Sequence, residues 1–361
     1  MKTVEKLTAA LLALLAVLSL GACSRDRSPA VMTLDGATVT KNMFTYWTCS
    51  YKGMFMSTYS DMNDTDEFWD STLQNGLTAE EFLGELVVSY VKNDLAAIYL
   101  FDRFGMKISD GDRQKAEEIV SDLCESWADG SKNTFNRLIA QYGVNYDTLI
   151  DMYLADYKMT YVYNYVFENG VIVVGDEEKQ TYLEDNYAHI RHIYINDAYD
   201  PDKSYYDSDG NYVMEKLDSE SQAEKDKKSA DAKALLDSGA DFDAVYGEYS
   251  EETAYPNGYY ISGETEGVPS ELIQNSLEME VGEVRTFETQ YGTHIIKKLE
   301  MEKGAYSDEK NSDFFGDFSD QVYEDVFAKY LKNFHEQISV DETVLSEVSI
   351  REAIPNYAFQ Y

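Results

Sequence analysis

Hydrophobic and polar positions change rhythm several times along the chain. Leu7 to Leu20 is apolar apart from Thr8 and Ser19, and Lys2 and Lys6 precede it. That run is too short to span a bilayer as a helix but suits a secretory leader. Further on, Val31-Met-Thr-Leu34 and Ala37-Thr-Val39 flank Asp35-Gly36, which predicts a tight hairpin. Thr40 is placed to cap a helix carrying Met43, Phe44 and Trp47. Met54 to Gln74 is aromatic and acidic without clean periodicity and predicts loop and short helix. Thr78-Ala-Glu-Glu81 is a capping box opening a long helix, whose stripe runs through Phe82, Leu86, Tyr90, Ile98 and Phe101 to a stop at Gly105. Ser109 starts the next helix, through Ile119, Leu123 and Trp127, and a helical hairpin broken at Gly143 follows. Leu149, Tyr153, Tyr157, Tyr161 and Tyr165 recur at helical spacing, the signature of a core face rather than an aromatic binding cage.

Past a short acidic helix at Asp176 the rhythm alters. The expected order is a β-rich run at His189–Ile195, a polar helix at Leu217–Leu236, a shorter one at Asp241–Tyr249 and a strand at Gly258–Ile261. A helix at Ser270–Met279 and strands at Val284–Phe287 and Thr293–Leu299 complete it, a compact α+β arrangement. Asp207-Ser-Asp-Gly-Asn211 looks like part of a calcium loop, which needs further oxygen ligands and a distal Glu at fixed spacing, but Tyr205-Tyr206 and Tyr212-Val213 around an Asp-Gly turn favour a hairpin. Phe315, Phe318, Val322, Val326 and Tyr330 then return to helical steps, and such an amphipathic helix needs cover, here expected from the N-terminal helices. The fold class is therefore α+β, with an α+β domain over 187–303 inserted into a mostly helical one made of 31–186 and 304–361. A leader over 1–22 and a polar tether over 23–30 precede them.

Composition narrows the function. The 361 residues carry 67 Asp and Glu against 30 Lys and Arg, a net charge of −37 that argues against nucleic acid and against a polybasic membrane patch. The leader's Lys2, Glu5 and Lys6 sum to +1, so the mature chain stands at −38. Three Cys cannot make a disulfide scaffold or a four-Cys zinc site, and four His leave little room for a multi-histidine metal site. Cys49 and Cys124 are open to two readings, buried free thiols or one disulfide, the first being the plainer. No Gly-x-Ser-x-Gly elbow and no His-Glu-x-x-His motif points to a hydrolase. The strand–helix alternation that two α/β lobes of a transporter's binding protein require is missing too.

Leu20-Gly21-Ala22-Cys23 resembles the lipobox of bacterial lipoproteins, which implies cleavage behind Ala22 and a lipid on Cys23. Further along, Arg191-His192-Ile193 with Ile195, Ala240-Asp-Phe-Asp243, Tyr249-Ser-Glu-Glu252, Val281-Gly-Glu-Val284 and Tyr291-Gly-Thr-His294-Ile-Ile-Lys297 occur in order. Together they resemble the parvulin family of peptidyl-prolyl isomerases. The flanks, with Leu34-Asp-Gly-Ala-Thr-Val-Thr40 and Phe104-Gly-Met-Lys-Ile-Ser109, are similar to those of PrsA-type foldase lipoproteins of the SurA-like group.

The resemblance implies a histidine pair, His192 and His294, beneath a proline pocket, with Glu252 where the family has Asp or Cys. It also implies pocket positions at Val268, Leu272 and Tyr291. Tyr255-Pro-Asn-Gly-Tyr-Tyr260 replaces the family's Gly-Gly-Asp-Leu-Gly, and the large apolar Met and Phe of the pocket are lost. The implied protein is a foldase lipid-anchored on the outer face of the cell membrane, with unfolded secreted polypeptides as partners and no cofactor. The alternative is a holdase with a degenerate, inactive isomerase domain. His189 reads as a surface or strand-start residue and His335 as an exposed helix residue.

Overall fold

The computed structural model describes residues 26–58, 64–73, 76–208 and 210–357. Cys23 and the leader lie outside the described residues. Two compact units emerge, Val174–Val326 and a second made of the chain up to Val173 with Phe327 onward.

In the helical unit, β1 (Ala30–Leu34) and β2 (Ala37–Thr40) form the expected hairpin. Asp35 at φ 43° and Gly36 at φ 95° make the left-handed turn that an Asp-Gly pair tolerates. α1 (Lys41–Thr58) and the short α2 (Asp66–Asp70) lead to α3 (Ala79–Arg103), which Thr78 and Glu81 open with a reciprocal capping box. α4 (Asp110–Ala128) is capped by Ser109, α5 (Lys132–Ile139) by Ser131, and α6 (Tyr146–Glu168) by Asn145. Leu83, Val87, Val91, Leu95, Leu149 and Val162 form part of one core, each such burial contributing about 1.5–3 kcal/mol. Tyr153 is buried in it, and Tyr157, Tyr161 and Tyr165 pack against it, so the tyrosine stripe is core. Cys49 and Cys124 are buried free thiols, and burial pushes the Cys49 thiol up to about 11.

α1 corrects part of an expectation: it runs through Thr58, where loop and short helix were predicted from Met54 onward, and α2 is the short helix. The cause is long-range. Lys52, fully buried, donates to the carbonyls of Arg351 and Ala353 at 2.9 Å each and meets Asp64 at 3.0 Å. A Cβ on Gly53 would stand 2.3 Å from the Asn356 carbonyl oxygen, so only glycine lets the C-terminal segment lie there. His335 likewise is half-buried rather than exposed, at the start of the 3-10 helix His335–Gln337, with its Nε2 2.8 Å from Asn93 Oδ1.

The unit Val174–Val326 begins with α7 (Asp176–Asn186) and β3 (Tyr187–Ile195). The hairpin β4 (Asp200–Tyr206) and β5 (Tyr212–Glu215) follows, so the Asp207 loop is a hairpin turn. Next come α8 (Ser219–Asp237), α9 (Phe242–Tyr249), β6 (Tyr259–Ser262), α10 (Ser270–Glu278), β7 (Val284–Thr289) and β8 (Gly292–Lys298). The antiparallel sheet has the order β6-β3-β8-β7. Ile193, Ile195 and Ile295 pack on α8 and α9, while Ala188, Ile190 and Ile296 pack with Leu272 of α10. Strand alternation thus sends His192 and Tyr194 to the α10 side.

This unit is wider than 187–303 because Leu183, Phe315, Phe318 and Val322 share a core with Tyr187 and Tyr260. The first turns of α11 (Phe318–Lys332) therefore serve this unit, whereas Phe327 and Leu331 enter the helical core. An apolar stripe shows that a helix needs cover, not which cover it receives.

Candidate functional site

β3 and β8 pair Tyr194 opposite His294 and His192 opposite Ile296, which sets the two histidines on a diagonal of the same face. Their rings stack at 5.1 Å between centroids, and His192 Nε2 lies 3.0 Å from His294 Nδ1. Tyr259 of β6 brings its hydroxyl to 3.1 Å from His192 Nδ1. At the other end His294 Nε2 is 2.9 Å from Thr289 Oγ1 on β7. Every strand of the sheet thus supplies one member of a buried hydrogen-bonded chain, which holds both rings in fixed orientation.

Burial, and secondarily the neighbouring His294, drives the His192 pKa down to about 3. Burial takes His294 down to about 4 against the opposing pull of Glu271 and Asp197. Both imidazoles are therefore neutral at pH 7, each with one N–H donor and one acceptor nitrogen. Desolvation raises the Tyr259 phenol, assisted by Glu252, so it too stays protonated. The chain polarises and shapes the site without supplying a strong acid.

Above this floor opens a cavity of about 1070 Å³. All six residues singled out from the sequence line it: His192, His294, Glu252, Val268, Leu272 and Tyr291. Glu252 follows α9, where Glu251 N–H donates to the Tyr194 carbonyl at 2.7 Å and Ser250 Oγ donates to the Glu252 carbonyl at 2.8 Å. Its Oε1 accepts from Ala254 N–H at 2.5 Å, and its Oε2 is buried without a hydrogen-bond partner among the described residues. Tyr291 sits at the β7–β8 turn, where its carbonyl accepts from Tyr194 Oη at 2.6 Å. Gly292 has φ 140°, and a Cβ there would stand 2.3 Å from the Ile195 carbonyl oxygen, so this turn requires glycine.

Sequence reasoning missed part of the wall. Tyr255 and Phe314 meet edge to face at 5.0 Å, and Tyr259 lies 6.0 Å from Phe314 in a stacked pair. Aromatic surface from Tyr255, Tyr259 and Phe314 thus lines the same cavity as Val268 and Leu272. Tyr194 was within reach of the alternation that places His192; Thr289 and Phe314 carried no local signal. His189 is 7 % exposed, stacked on Tyr260 at 4.5 Å with Nδ1 2.9 Å from the Glu300 carbonyl, so it is a core residue rather than a surface one.

Such a site suits rotation about an X-Pro bond. The barrier of about 18–20 kcal/mol comes from amide resonance, and holding the ring in an apolar, desolvated pocket favours the twisted amide without covalent chemistry.

Comparison with known proteins adds the lineage. No curated protein matches the chain. Among solved structures it is similar to PrsA from Bacillus subtilis, at 18% identity over 82% of this chain and 95% of that one, with a TM-score of 0.24. The foldase protein PrsA from Streptococcus pneumoniae gives 11% identity over 92% and 96%, TM-score 0.23. A SurA-like chaperone of Campylobacter jejuni gives 9% over 87% and 98%, TM-score 0.24. At such identities and TM-scores the assignment rests on the protein-family match, which covers residues 178–302 with the PPIC-type PPIASE domain. Residues 178–302 of this α+β chain belong to the PPIC-type, or parvulin, family of peptidyl-prolyl isomerase domains.

Proposed function

We propose that the protein is an extracytoplasmic foldase, anchored by a lipid on Cys23, that accelerates prolyl isomerisation in secreted polypeptides while its helical unit holds unfolded segments. The observation that carries the isomerase part is the neutral His192–His294 pair, 3.0 Å apart, beneath a cavity inside a PPIC-type domain. X-Pro isomerisation is slow enough to limit folding, and tenfold acceleration requires only about 1.4 kcal/mol of differential stabilisation. Exchange spectroscopy on an X-Pro peptide with the soluble chain from Ser24 tests it, beside His192→Ala and Glu252→Ala with a folding check on each. Faster exchange, reduced at least tenfold in both variants, is expected. No acceleration by well-folded wild type would leave the holdase alternative, which the loss of the family's large apolar pocket pair favours. The anchor is tested by Cys23→Ser, expected to move the protein from the membrane to the soluble fraction; unchanged membrane retention would overturn it.

A further inference from the structure

Charge around the cavity is one-sided. Glu252, Glu266, Glu271 and Asp313 line it, and no Lys or Arg does among the described residues. The ion pairs of this unit go to other carboxylates: Lys225 and Lys228 hold Glu251, Arg191 holds Asp243, and Arg285 holds Glu278 and Glu283. Lys310 meets Glu302 and Asp308, and Lys233 meets Glu288. The contrast between neighbours is sharp: Glu251 is neutralised by two lysines, while Glu252, held by the Ala254 N–H, meets no cation among the described residues and keeps Oε2 buried in the cavity wall. The aromatic faces of Tyr255 and Phe314 beside these acids also attract cations.

Building on the isomerase assignment, we infer that the site selects prolines flanked by a basic side chain, with Glu266, Glu271 and Asp313 as specificity-determining residues. A Lys or Arg next to the proline meets carboxylates left without a counter-charge, and an acidic residue there meets repulsion.

The test uses peptides Gly-X-Pro-X-Gly with X as Lys, Leu or Glu, and the soluble chain from Ser24. Binding is read by titration and isomerisation by exchange spectroscopy, at low and high salt. The expected Lys-over-Glu ratio is about tenfold at low salt and shrinks toward one at high salt, as exposed charges are screened. In the triple variant Glu266→Gln, Glu271→Gln, Asp313→Asn the ratio should fall to near one, and being internal to each sample it is insensitive to partial unfolding. A ratio of one or below in wild type overturns the preference, and acceleration of the Leu peptide would then leave the isomerase function standing. A ratio that survives both high salt and the triple variant overturns its electrostatic origin. If no peptide is isomerised, the enzymatic function falls, and the binding ratio alone still decides the preference.

Discussion

Lys52 in one unit and the histidine pair in the other are buried by opposite means. In the helical unit Lys52 is hidden as a charge and satisfied by two carbonyls, Asp64 and the Trp69 ring face 5.0 Å away. In the isomerase unit His192 and His294 are hidden neutral, their protons spent on a chain of hydrogen bonds that ends at a cavity. A buried ion that is fully paired fixes one arrangement of chain, here the docking of 351–356 on α1, and offers nothing to a ligand. A neutral polar chain keeps its groups available to shape whatever enters.

The largest effect that should expose this difference is Lys52→Met. It leaves Asp64 and two carbonyls without their cation, a loss of about 3–5 kcal/mol. Chemical denaturation would read the total, and hydrogen exchange should place the faster opening in the helical unit around α1 and 351–356. Equal loss of protection in β3 and β8 would break the comparison.

A smaller, opposed effect follows from pH. The histidine pKa values lie below their ordinary 6.5, so the unfolded chain binds more protons between about 3 and 6.5. The stability they permit is complete above 6.5 and lost as pH falls toward 3 to 4. Asp94 in α3 behaves inversely. Burial, then the nearby Asp156, raises its carboxyl well above the usual range. Its contribution is intact below the unfolded carboxylate pKa and lost as pH rises through the folded value. Mild acidification should therefore loosen β3 and β8 while tightening α3 around Asp94. Hydrogen exchange at several pH values, corrected for intrinsic rates, checks this, and parallel slopes in both units would refute it.

What was legible beforehand was local. Thr78 with Glu81, Asp35-Gly36 and the alternation through His192 each act within a few residues, and the structure shows their caps, turn and strand. The histidine pair needed the family resemblance, because 102 residues separate its members. What stayed hidden depends on distant partners. Lys52 and Gly53 make sense only with 351–356 in place. Phe314 becomes a pocket wall through Tyr255 and Tyr259, and α11 divides its apolar residues between two cores.

The pairing of Met32 with Val340 places β1 beside the short strand β9 (Ser339–Val340), so the two come from opposite ends of the chain. At synthesis rates of about 5–20 residues per second, the intervening stretch takes roughly 15–60 s to emerge. Throughout that interval β1 presents an open edge, and the nascent helical unit lacks Phe327, Leu331 and Ile338. The isomerase unit, contiguous in sequence, is complete before its host. During its own biogenesis the chain thus passes through the half-finished, edge-exposed condition that holding factors exist to shelter.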